Sequence, residues 1–227
     1  MSFPATSRDS TSRKVPVPRL LFYGGCLAIL FCLFVFSLGP ANLGGIKHAW
    51  GNAAMQQART INLAMFSYCN DNDQKYPDGK SSTEVFQKLM DGNYISDPGL
   101  FYLPLPGKIK GVGPKLKPEN VCFDVTSGLE GNSPSELPVV FMTGYRVDYV
   151  PGGSAVAMIK PFPKNGEPQP PPILDSGIAI TYKSNSAKFI TLAKAPNGDV
   201  SIPNFISPDF KPDGKTYRQL TPEGPLP

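Results

Sequence analysis

The chain has 227 residues, a net charge of +4 and 26 prolines, with 18% of its residues charged. That length suits one substantial domain with additional segments, and the proline content implies long loops. The distribution of charge argues against a nucleic-acid partner: Arg8, Arg13, Lys14 and Arg19 stand against Asp9 alone in residues 1–19, which leaves residues 41–227 nearly neutral.

The first element is an uncharged run, LLFYGGCLAILFCLFVFSL, at 20–38. At about 1.5 Å per residue it nearly crosses a hydrocarbon core of roughly 30 Å, so a transmembrane helix is expected there. A buried soluble helix and a cleaved signal peptide are the rival readings; the run is long for either, and Leu38-Gly39-Pro40-Ala41 is a poor cleavage site. The basic residues of 1–19 place that tail in the cytoplasm and everything after the span outside it, by the positive-inside rule.

Residues 39–45 contain Gly-Pro and ANLGG and are expected to form a hinge. An amphipathic helix is then expected over 46–70. Ala54, Ala58, Ile61, Met65 and Tyr68 recur at spacings of three and four, with Asn52, Gln56, Arg59 and Asn62 opposite. The stretch CNDNDQKYPDG, 69–79, has acidic spacing reminiscent of a calcium loop, but Lys75 stands at the third ligand position and the sharp-turn glycine is missing. It reads instead as a helix end: Asn70, Asp71, Asn72 and Asp73 favour turns, and Tyr76-Pro77 forces extended backbone.

Ser81-x-x-Glu84 is a capping box that opens a second helix, with Val85, Phe86, Leu89 and Met90 as its apolar face and Asp91-Gly92 as its end. Asp97-Pro98-Gly99 is a turn. The loop PLPGKIKGVGPKLKP, 104–118, carries Lys108, Lys110, Lys115 and Lys117 with no acid; it is a candidate contact for an anionic glycan or lipid, against a plain solvated loop. Strands are expected within 137–150, where Tyr145, Val147 and Tyr149 alternate with Arg146 and Asp148, and as a hairpin at 178–182 and 187–192. Residues 161–172 form a proline-rich loop, and 207–227 a proline-rich, extended tail.

Chemistry is sparse in this pattern. His48 is the only histidine, some ten residues past the span, so a Ser-His-Asp or Cys-His site would have to be built around it. Paired carboxylates occur as Asp71 and Asp73; a hydrolase using them is a third reading. No catalytic residue, cofactor-binding residue or metal ligand is assigned, and no cofactor is expected. Trp50 is a candidate headgroup anchor, with packing against the domain as the alternative. Cys26 and Cys32 read as small apolar residues of the span. Cys69 and Cys122 would face an oxidising space and could form one disulfide, with two free thiols the other option.

The order of parts, and above all AAMQQARTINLAMFSYCNDNDQKYPDG at 53–79 followed by 84–104, resembles the type IV pilin-like and type II secretion pseudopilin-like proteins of bacteria. The resemblance covers roughly 60 residues, mainly 46–104. It implies a pseudopilin-like ectodomain, a periplasmic or otherwise extracytoplasmic setting, and a structural or secretion-associated role through contacts with other envelope proteins. The prepilin cleavage motif of that family is absent: Gly24-Gly25 leads into Cys26-Leu27-Ala28, and the span holds no glutamate. An uncleaved single-pass anchor is therefore expected. The whole reads as an α+β protein: cytoplasmic tail 1–19, transmembrane helix 20–38, hinge 39–45, ectodomain 46–206 with two helices packed on a small antiparallel sheet, and tail 207–227. The expected function is that of a membrane-anchored, non-enzymatic envelope protein.

Overall fold

The computed structural model describes residues 41–158, 177–190 and 201–225, with side chains described from Ala49 onward. The segments 1–19 and 20–38 and the loop 161–172 lie outside them. The chain divides at Gly45/Ile46 into two units, and the architecture below is that of the second.

Among the described residues it is an α+β fold with two α-helices and two antiparallel sheets. Helix α1 runs Ala41–Asp71. It extends back through ANLGG, so residues 41–45 are helical where a hinge was expected. Their glycines cost helix propensity, but only about 1 kcal/mol each, which a long helix can absorb. Ala54, Ala58, Ile61 and Met65 are fully buried along one face, as their spacing predicts. Asp73 and Gln74 then adopt left-handed backbone (φ 51° and 61°). The Gln74 amide closes onto the Cys69 carbonyl at 3.0 Å, and Asn72 Nδ2 donates to the Tyr68 carbonyl at 2.8 Å. The turn chemistry of Asn and Asp thus ends the helix.

Helix α2 runs Ser82–Asp91 with Ser81 as its N-cap. Ser81 Oγ accepts the Glu84 amide (3.1 Å), but Glu84 Oε2 accepts from the Lys80 amide (2.8 Å), one residue before the reciprocal bond that a capping box requires. A short 3-10 turn at Pro98–Phe101 follows, begun by Asp97, whose Oδ1 accepts the Gly99 amide. Phe101 stacks on Phe86 with ring centroids 4.7 Å apart.

The main sheet has the order β6-β5-β2-β1-β8. Its strands are β1 (Phe123–Ser127), β2 (Pro138–Met142), β5 (Ile178–Tyr182), β6 (Ala187–Ile190) and β8 (Arg218–Leu220). The smaller sheet has the order β3-β4-β7, from Tyr145–Val147, Ala155–Ala157 and Ser201–Ile202. The expected hairpin is β5–β6, and the alternating run is β3, with Tyr145 and Val147 buried and Arg146 exposed. The tail 207–227 is not merely an extended appendage. Arg218–Leu220 pairs with β1 at the sheet edge, and the Thr221 and Pro222 carbonyls accept from the Ser82 amide and the Thr83 hydroxyl.

Register sorts the main sheet into two faces, because successive strand residues point to opposite sides. Phe123, Val125, Val140, Met142, Ala179 and Phe189 share one face. There the Phe189 ring lies against Gly51 of α1, where a Cβ would come within 3.1 Å of it. Asp124, Thr126, Phe141, Ile180 and Gln219 share the other. That face meets the β3 side: Thr126 bonds Tyr149, Gln219 bonds Tyr145, and the Phe141 ring packs edge-on to Phe205. Strands β1 and β2 are buried along their whole length as a result.

Candidate functional site

The loop 104–118 is braced at both ends. The Ile109 amide donates to the Glu119 carbonyl (2.8 Å), and Asn120 Nδ2 donates to the Ile109 carbonyl (3.0 Å). Gln87 of α2 donates to the Pro114 carbonyl and accepts the Leu116 amide. Its four lysines do not converge into one patch. Lys108 is half-buried, paired with Glu223 (3.2 Å) and bonded to the Pro118 carbonyl (2.9 Å). Lys117 lies 3.8 Å from Glu119, in an exposed pair that contributes little. Lys110 runs over Gly99, where a Cβ would meet its Cε at 2.6 Å. Lys110 and Lys115 are exposed, and between them Val112 is 92% exposed.

The acidic stretch 69–79 disperses its carboxylates. Asp71 Oδ2 accepts from the Tyr94 hydroxyl (2.9 Å), Asp73 is exposed, and Asp78 Oδ1 accepts from the Ser127 hydroxyl (2.7 Å) and the Gly79 amide. Among the described residues no three His, Cys, Asp or Glu side chains gather as a metal site would require. The side chain of His48 lies outside the described residues. Trp50 is half-buried against the core and lines a shallow cleft of about 320 Å³ with Ala53, Gln57, Tyr102 and Pro104.

Cys69 and Cys122 are both buried and both free, so the disulfide that could have joined them is not formed. Each thiol has separate surroundings. Cys122 Sγ donates to the Leu103 carbonyl at 3.2 Å, while Cys69 sits in the last turn of α1. Burial pushes the Cys122 thiol up to about 11 and raises Cys69 as well, so both stay protonated and unreactive near neutrality.

The most unusual polar group is one that sequence reading did not single out. Asp124, the second residue of β1, is fully buried. Gln219 Nε2 donates to its Oδ2 (2.5 Å) and also to the Tyr145 carbonyl (2.6 Å), while Gln219 Oε1 accepts the Val147 amide (3.0 Å). Beside it the Thr126 and Tyr149 hydroxyls are 2.7 Å apart. Asp124 Oδ1 has no hydrogen-bond partner. Burial pushes the Asp124 carboxyl up to about 7, against the opposing pull of the Thr143 hydroxyl and the Gln219 amide. The only local signal was a carboxylate inside F-D-V-T; its partner lies 95 residues further along the chain.

Comparison with family models, with curated proteins and with solved structures finds no match to this chain. Among the described residues, no helix is long and apolar enough to cross a membrane.

Proposed function

We propose that this protein is a membrane-anchored, non-enzymatic envelope protein whose pseudopilin-like ectodomain acts through contacts with other proteins. The observation that carries the reading is the order of its parts along the chain. An uncharged nineteen-residue run is followed, after Gly39-Pro40, by a 31-residue helix, and that helix lays an apolar face on an antiparallel sheet. The dispersal of Asp71 and Asp78 onto separate partners, with Asp73 exposed, supports a role without catalysis. The basic tail 1–19 supports an N-inside orientation with the folded body extracytoplasmic.

The intact mass of the protein extracted from washed membranes tests this. A full-length mass in the membrane fraction is expected. Loss of residues 1–25 would instead indicate pilin-type processing, and recovery of the full chain from the soluble fraction would overturn the anchor.

A second reading assigns the loop 104–118 to an acidic glycan or an anionic lipid surface. The exposure of Lys110 and Lys115 around an exposed Val112 favours it. Retention on anionic vesicles or polymers should then weaken with salt, and neutralising all four lysines should abolish it; salt-independent retention would remove this reading.

A further inference from the structure

Asp124 occupies a place where a carboxylate has little to gain. Its side chain lies between two sheets, one oxygen is held by Gln219, and the other makes no hydrogen bond, although the Thr143 hydroxyl is close enough to favour the ionised form. An ionised oxygen left unpaired in such a place is strongly disfavoured. Gln219 is the sole residue of β8 that reaches both β1 and β3 by its side chain among the described hydrogen bonds. Beyond Gln219 lies an open cleft of about 400 Å³ lined by Arg146, Asp148, Tyr149 and Arg218. Solvent and two guanidinium groups therefore have access to within one side chain of a carboxyl that has one unpartnered oxygen.

We propose that Asp124, Gln219 and this cleft form a proton-operated clasp. With the carboxyl protonated, β8 is locked onto β1 and β3. Ionisation strengthens the bond from Gln219 to Oδ2 but leaves a buried charge with Oδ1 unpaired, so opening of the joint toward the cleft is favoured, and the strand with its following residues 221–225 loosens.

The surrounding groups are consistent with a carboxyl that controls this joint. From the loop 104–118 comes Lys108, and from beyond β8 comes Glu223; the two pair with each other at 3.2 Å, so their effects on Asp124 oppose. From β3 and the residues just after it come Tyr145 and Tyr149, both with hydroxyls driven up by burial and neutral throughout the relevant range. Cys122, just before β1, is protonated there too. Helix α2 contributes the uncharged Ser82, whose hydroxyl donates to the Phe123 carbonyl. Asp124, held up to about 7, is then the group that changes charge near neutral pH in this joint. The same β8 segment is tied to α2 through Thr221 and Pro222, so its release would alter the surface around the start of that helix.

Hydrogen–deuterium exchange of the full chain in detergent micelles, corrected for the intrinsic pH dependence of exchange, tests the clasp. Protection of 145–149 and 218–225 should fall on the order of tenfold between pH 6 and pH 8.5, while β2 and the body of α2 from Val85 to Leu89 keep theirs. Asp124→Asn should hold the two segments at one level across that range. Protection that is flat with pH in the unaltered chain overturns the proposal, and so does a fall that persists in Asp124→Asn. Should that variant fail to fold, carboxyl 13C NMR of the unaltered chain decides: a buried aspartate titrating between pH 6 and 8 upholds the clasp, and one ionised throughout overturns it.

Discussion

The two faces of the main sheet are held by different physics. Toward α1 the sheet presents Phe123, Val125, Val140 and Met142, and contact is mainly apolar, short-ranged and indifferent to pH. One uncharged hydrogen bond joins it: Asn62, buried although its spacing places it opposite the apolar face, donates through Nδ2 to the Tyr182 carbonyl (3.0 Å). Toward β3 it presents Asp124, Thr126 and Gln219, and contact runs through directional hydrogen bonds around a fully buried carboxyl. Burial of apolar area tolerates small shifts of position. A polar joint is specific in geometry but costly once any member loses its partner. The helix face thus supplies the bulk of cohesion, and the second face supplies register and a point of control.

The sharpest way to break the helix side is Phe86→Ala. Phe86 is fully buried and stacked on Phe101, and it fixes α2 against the 3-10 turn. Its removal should cost about 3–5 kcal/mol, the transfer term plus the cavity left behind. Urea denaturation should show a large drop in midpoint, with the pH dependence of stability unchanged. A loss that varied with pH would mean that the two faces are coupled.

Much of the helix side was readable from sequence because its signals are local. The three-and-four spacing of Ala54, Ala58, Ile61 and Met65 marks the buried face of α1, and the Asn/Asp run at 70–73 marks its end. Ser81 with Glu84 marks the start of α2, even though the glutamate bonds one residue earlier than its spacing suggests. The polar side was not readable. Strand β1, FDVTS, looks half polar and loop-like until Gln219 and Tyr149 supply partners that lie far away in the chain. Strand β8 sits inside a proline-rich stretch, where composition speaks for an extended tail and only pairing with β1 reveals a strand. ANLGG was misleading for a related reason: glycine lowers helix propensity, yet 41–45 continue a helix whose buried face lies further on.

The polar face should reveal itself next in a pH titration of stability. The folded protein holds the Asp124 proton more tightly than the unfolded chain, whose carboxyl titrates at about 4. Its contribution is therefore fully present below about pH 4, declines as pH rises from about 4 to about 7, and is level above that. A shift of this size corresponds to about 4 kcal/mol as an upper bound across that window. Asp124→Asn should flatten the slope and make the protein more resistant to urea at pH 8 than the unaltered chain. A slope unchanged by the substitution would place the titrating group elsewhere.

Gln219→Ala attacks the same joint from the opposite strand. It strips partners from Asp124 Oδ2, the Tyr145 carbonyl and the Val147 amide together. The expected loss is roughly 2–3 kcal/mol, because water from the neighbouring cleft can replace some of what is removed. In combination with Asp124→Asn the two effects should depart from additivity, since both act on one network. Strict additivity in a double-mutant cycle would show that Gln219 works through β3 alone.

The smallest effect returns to the helix side and asks whether α2 is set by its own end or by what it packs on. Ser81 Oγ accepts the Glu84 amide, so Ser81→Ala leaves that donor to solvent and should cost about 1 kcal/mol. The neighbouring Ser82 and Thr83 are buried and bonded to the Phe123 and Pro222 carbonyls, so the first turn has tertiary anchors that the substitution does not touch. A urea midpoint that moves by about this amount, with exchange protection at Val85–Leu89 otherwise retained, means that the cap adds to packing without deciding it. Loss of protection throughout α2 would instead make Ser81 the element that holds the helix to β1, and cohesion on this face would then depend on a directional bond just as the other face does.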